Sequence, residues 1–177
     1  MARCVALLGS INVGGNRVSM ADLRAAFVSA GFANVATVTA SGNVLFDHDG
    51  SQDAETAIAA LLRDTFAIDS FAAVRSAREL ASALDENPFV GMGEDKLVHT
   101  MFLESQPDPP RFARLLADHE GRGPERLAPG TGALHIDYVE GVGSSKLTKP
   151  FIERRLGCRG TARNVTSIRR IMEKLED

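Results

Sequence analysis

The sequence predicts an α+β fold of two abutting subdomains, and three observations carry that expectation. Short apolar strands alternate with amphipathic helices over residues 1–76, a second and looser alternation fills 77–177, and no flexible linker or low-complexity stretch separates them. An apolar fraction of 44% with 24% charged residues is ordinary for a globular chain, and 177 residues suffice for a core without disulfides or metals.

The first half opens with an apolar strand, Cys4 to Leu8. Ser19 caps a helix from Met20 to Ala30, with Asp22 as a capping-box variant, an inner stripe of Met20, Leu23, Phe27 and Ala30, and Gly31 as its stop. Val35 to Val38 and Val44 to Asp47 read as strands joined by the turn Ala40-Ser41-Gly42-Asn43. Asp53 caps a second helix with Ala57, Ile58, Leu61, Leu62 and Phe66 inside, and Phe71 to Arg75 supplies a fourth strand. That order, βαββαβ, is the ferredoxin-like arrangement.

Ser76 and Glu79 form a capping box opening a connecting helix that packs through Leu80, Ala83 and Leu84 and ends at Asn87-Pro88. Lys96 to Leu103 alternates with period two, as a half-buried strand does. Asp108-Pro109-Pro110 starts a helix through Leu116, and Arg126 to Ala128 and Ala133 to Val139 are strands flanking Pro129-Gly130-Thr131-Gly132. Two helices close the chain, Ser145 to Leu156 and Ala162 to Leu175. The second has Thr161 as N-cap and Val165, Ile168, Met172 and Leu175 as its stripe. The fold class is therefore two tandem ferredoxin-like subdomains of βαββαβ type, residues 1–76 and 77–177, the latter including the connecting helix and the closing helices.

The charge is uneven. Residues 144–177 hold nine basic side chains against four acidic ones, while the whole chain carries −3. A basic end on an acidic body suits an anionic partner. No apolar run approaches a membrane span, no signal peptide opens the chain, and the cysteines Cys4 and Cys158 have no metal-type spacing. A cytoplasmic protein without membrane contact or a disulfide is expected.

Leu8-Gly9-Ser10-Ile11-Asn12-Val13-Gly14-Gly15-Asn16 stands between strand and helix, where backbone amides often hold an anion. Gly9 and Gly14 have phosphate-loop spacing, yet Gly15 occupies the lysine position and Asn16 the hydroxyl position, so an ATPase loop is not supported. Three further polar segments fall at element ends: Ser41-Gly42-Asn43, Ser144-Ser145-Lys146 and Thr161-Ala162-Arg163-Asn164. Each also serves as ordinary turn or cap chemistry.

Taken together, Ile11 to Gly15, Ser41-Gly42-Asn43-Val44 before Phe46, Ser145-Lys146-Leu147 and Thr161 to Asn164 resemble a bacterial family of unknown function, DUF1697, from end to end. The resemblance implies two ferredoxin-like subdomains and no established activity, substrate or cofactor. The chain departs from the family at Gly9-Ser10, where Arg-Gly is typical, and at Val165, where Trp is frequent.

The expectation for function is binding of a phosphorylated or other anionic small ligand. Asn12, Gly14 and Gly15 supply backbone and amide contacts, Ser41 and Asn43 orient the ligand, and Lys146 and Arg163 neutralise it from two helix starts, with Asn164 completing the wall. A non-catalytic interaction or regulatory module is the alternative. Nucleic-acid binding through the basic end is a third reading, weakened by one Tyr, no Trp and a pI near 5.8. No cofactor, metal or oligomeric state is specified. For acid–base chemistry the sequence offers His135 and Asp137 on one strand face, with His99 on a neighbouring strand, while His48 and His119 read as exposed loop residues.

Overall fold

The computed structural model describes residues 1–11, 17–38, 42–50 and 53–177. The expectations placed on Asn12, Gly14, Gly15 and Ser41 lie outside these residues. The chain divides into two compact units, one comprising Met1–Leu80 with Arg170–Asp177 and the other Ala81–Arg169.

The first unit contains β1 (Ala2–Leu8), α1 (Met20–Ser29), β2 (Ala33–Val38), β3 (Asn43–His48), α2 (Ala54–Phe66) and β4 (Ala72–Ser76). Its antiparallel sheet has the order β2-β3-β1-β4, the ferredoxin-like topology. Ala6, Leu8, Val44 and Phe46 face Leu23 and Phe27 of α1 and Ile58, Leu61 and Leu62 of α2. Val5 and Leu7, pointing the other way, are fully buried too. Burial on both faces is why β1 reads as an unbroken apolar run. The caps behave as their spacing predicts: the Asp22 amide donates to Ser19 Oγ at 3.0 Å and the Thr56 amide to Asp53 Oδ1 at 3.2 Å.

α3 (Ala77–Glu86) begins with the reciprocal capping box, Glu79 amide to Ser76 Oγ at 3.2 Å and Ser76 amide to Glu79 Oε2 at 2.7 Å. The second unit then repeats the first: β5 (Val98–Leu103), α4 (Pro109–His119), β6 (Arg126–Gly130), β7 (Ala133–Asp137), α5 (Lys149–Leu156) and β8 (Gly160–Asn164). Sheet order β6-β7-β5-β8 is the same permutation. One face of this sheet packs Met101, Leu103, Leu134 and Ile136 against Phe112, Leu115, Ile152 and Leu156 of its helices. α6 (Val165–Glu176) follows.

Five sequence expectations are corrected. Residues 160–164 form an edge strand paired with β5, not the start of a helix, and α6 begins at Val165. Thr161 therefore caps nothing; the Ser167 amide donates to Asn164 Oδ1 at 2.8 Å, which makes Asn164 the capping side chain. α5 starts at Lys149 instead of Ser145, because Thr148 is the N-cap and Pro150 occupies the first turn. Ile171, fully buried, replaces the half-exposed Met172 on the inner stripe of α6. Finally, His119 is buried at the end of α4, bonded through Nε2 to the Glu125 carbonyl at 2.9 Å, and His48 is half-buried at the end of β3.

Candidate functional site

On the face of the second sheet away from α4 and α5, four residues stand in register across the strands: Ala128, His135, Thr100 and Arg163. Three of them are polar and buried, an unusual row for a sheet interior. His135 Nε2 meets Glu86 Oε1 at 2.8 Å, and its Nδ1 meets Thr100 Oγ1 at 2.9 Å. Asn87 Nδ2 donates to the same Thr100 hydroxyl at 3.3 Å, and the Thr131 amide and hydroxyl each donate to Glu86 at 2.8 Å. A carboxylate only accepts, so Nε2 carries the proton toward Glu86 and the Thr100 hydroxyl can donate to Nδ1. Every member of the row from Asn87 to Glu86 is thereby satisfied. Burial raises the Glu86 carboxyl, but the hydrogen bonds from His135 and Thr131 outweigh it and hold the group below its ordinary range.

This row resembles a hydroxyl–imidazole–carboxylate relay, yet Thr100 and His135 are both completely inaccessible. A nucleophile must reach its substrate, and neither group is open to one in this arrangement, where the network ties Glu86 to the sheet. The expected His135–Asp137 partnership does not form. Asp137 instead accepts from Arg126 and, at 3.0 Å, from the Val139 amide. His99 packs edge-on against Tyr138 with ring centres 4.9 Å apart, and burial pushes its imidazole below the usual range despite a bond to the Leu97 carbonyl.

A group of cations lies at β8 and the start of α5. Arg163 is 8% exposed and donates from Nη1 to Thr161 Oγ1 at 2.6 Å and to the Ala162 carbonyl at 3.0 Å. Burial pushes its guanidinium down to about 10. Lys149 is half-buried in the first turn of α5. Burial depresses its amine most, and the fields of Arg163 and Arg159 depress it further, against the pull of Glu153. Arg159 is engaged by Glu104 in a two-pronged ion pair of 3.0 and 2.8 Å. A cation in the first helical turn also opposes the helix dipole. Lys149 thus sits in the fields of two arginines and a helix start, with Glu153 as the opposing charge.

Four of the residues expected to bind ligand, Asn43, Lys146, Arg163 and Asn164, are among the described residues, and each has its own surroundings. Asn43 is completely buried at the start of β3, its Nδ2 donating to the Val38 carbonyl at 3.2 Å. Arg163 and Asn164 are neighbours on β8, the first in the cation group and the second capping α6. Lys146 precedes α5 and is exposed; it lines a separate cavity with Glu125, Tyr138 and Ser145, and Arg163 is not among the lining residues. Lys149 escaped the sequence reading, although Thr148-Lys149-Pro150 carries a helix-start signal that would have brought it forward. Among the described residues no group of three potential ligands could hold a metal ion, and no helix is long and apolar enough to cross a membrane.

A search of curated proteins finds no match. Among solved structures, the conserved bacterial protein SP0830 from Streptococcus pneumoniae shares the fold, with a TM-score of 0.68, 20% identity, and coverage of 100% of this chain and 99% of that one. Two βαββαβ halves in tandem are therefore an arrangement common to both proteins. Over residues 1–135 the sequence matches the family model described as "Protein of unknown function (DUF1697)", and the chain belongs to that family.

Proposed function

We propose that the protein binds a phosphorylated or otherwise anionic small ligand, and that Arg163 and Lys149 of the second unit supply the charge that holds it. The observation that carries this reading is the pairing of a nine-tenths buried guanidinium with a half-buried amine in its field. Charge-assisted hydrogen bonds from a guanidinium and an ammonium are among the strong ones, and two such groups near each other suit a phosphate or carboxylate. The planar donors of Arg163 match a phosphate or carboxylate edge, while Lys149 adds a point charge at the positive end of α5. In the same reading the protein works in the bacterial cytoplasm, where Cys4 and Cys158, both free thiols, stay reduced.

The test is a thermal-shift and calorimetric screen with inorganic phosphate, pyrophosphate, nucleotides and sugar phosphates. A ligand at about 100 times its Kd adds about 2.7 kcal/mol. For a chain of this length that is a rise in Tm of about 5–10 °C. Lys149→Ala is expected to remove the response, with the Tm of the unliganded variant checking that the fold is retained. A silent panel, or a response indifferent to Lys149→Ala, overturns the reading in favour of a non-catalytic interaction module.

A further inference from the structure

A cavity of about 180 Å³ opens in the second unit beside the segment leading to α5, walled by Gly123, Glu125, Tyr138, Gly141, Ser145 and Lys146, with Arg122 and Glu140 adding one charge of each sign to its rim. Glu125 is 7% exposed, and its carboxylate accepts one hydrogen bond, from Ser145 Oγ at 2.9 Å. Among the described residues no cation lies within ion-pair distance of it. A carboxylate can accept about four hydrogen bonds, and burying one with a single neutral donor is costly. Its oxygens lie against bare glycine backbone: a Cβ at Gly123 would stand 2.5 and 2.7 Å from them.

Tyr138 is 5% exposed and lines the same cavity, and its hydroxyl makes no hydrogen bond among the described residues. The backbone that aims it is held by a tight turn, in which the Glu140 amide donates to the Tyr138 carbonyl at 2.6 Å around Val139, at φ 63°. Lys146 is exposed on the cavity wall and engages no acid, although Glu125 lines the same space. A buried carboxylate, a phenol donor and an ammonium thus surround one small volume without satisfying one another.

We propose that this cavity binds a small zwitterionic α-amino acid, its ammonium donating to Glu125 and its carboxylate accepting from the Tyr138 hydroxyl and from Lys146. An anion alone would meet the repulsion of Glu125, and a simple amine would leave Tyr138 unpaired. The volume suits a ligand of glycine, alanine or serine size. Burial, and then the negative field of Glu125, push the Tyr138 phenol up to about 12, so it remains a donor at neutral pH. The site does not depend on Arg163 or Lys149, so a silent phosphate panel leaves it standing.

The test titrates the ¹⁵N-labelled full chain with L-alanine, glycine and L-serine, against ethylamine, propionate and inorganic phosphate. The amino acids are expected to move the amide signals of Gly123, Gly141 and Ser145 saturably, and ethylamine and propionate to bind at least about tenfold more weakly. Glu125→Gln keeps the shape and the Ser145 bond but loses the charge, and is expected to weaken L-alanine about tenfold or more. Lys146→Ala, at an exposed position, is expected to weaken it by a smaller factor without changing Tm, which keeps the test decisive if Glu125→Gln fails to fold. Absence of saturable shifts, ethylamine or phosphate binding as well as L-alanine, or unchanged binding by both variants overturns the proposal.

Discussion

Tyr138 is the only tyrosine in a chain without tryptophan, so its ionisation can be followed by phenolate absorbance with no competing signal. The perturbation is alkaline titration of the native protein. Burial of the ring raises the phenol first and the nearby Glu125 charge second, to about 12 against an ordinary value of 10.0. Below pH ~10 the group is neutral whether the chain is folded or not, and it contributes nothing to pH dependence. Above that, the unfolded chain releases its proton while the native protein retains it, so stability falls as pH rises. The slope approaches ~1.4 kcal/mol per pH unit, and two units amount to a loss of about 2.7 kcal/mol by pH ~12. The expected result is a native midpoint near 12, a return to about 10 in denaturant, and a smaller rise for Glu125→Gln. A native midpoint at the denatured value would refute both the burial of the hydroxyl and the proximity of Glu125.

Three further outcomes are expected. Asn164→Ala should lose about 1 kcal/mol, or ~2–4 °C in Tm, through the cap of α6, with Asn164→Asp recovering most of it; thermal denaturation of both variants checks this. Gly130→Ala should lower stability by about 1–3 kcal/mol in urea denaturation. Its Cβ would collide with Glu86 Oε1 and stand 2.6 Å from His135 Nε2, reversing the small gain that Gly→Ala usually brings. Glu86, held below its ordinary range, contributes stability that is present above the unfolded carboxyl value and lost as pH falls through the folded one. Glu86→Gln should therefore flatten the acid limb of the stability curve below pH ~4.5, as read from Tm against pH.

Most of the fold was legible because its signals are local. Ser19, Asp53 and the Ser76–Glu79 box each announce a helix within four residues, and β5 is the strand its apolar content indicates, although it is buried on both faces instead of alternating. β8 was not, since Gly160-Thr161-Ala162-Arg163-Asn164 has no apolar rhythm and becomes a strand only by pairing with Met101 and its neighbours. With that strand missing, Thr161 took the cap that belongs to Asn164, and Arg163 was assigned to a helix start. The sequence offers Lys146 and Arg163 as cations for the proposed ligand but says nothing of their surroundings. Burial of Arg163 and the charge on Lys149 are properties of the assembled sheet. Glu125 was invisible for the same reason: in Pro124-Glu125-Arg126 it reads as a solvated acid, and only the fold withdraws it from water.

The first unit is not continuous in sequence. Its sheet and helices occupy Met1–Leu80, but Arg170–Asp177 belongs to it as well. During translation the ribosome delivers all of β1 to β4 long before that final piece, and the whole second unit intervenes. A nascent chain therefore cannot complete its first half in order of synthesis, and must keep it open or marginal until almost everything else has emerged. For protein production this makes residues 170–177 a poor place for truncation: shortening the far end of α6 would be felt in the half of the molecule that was made first.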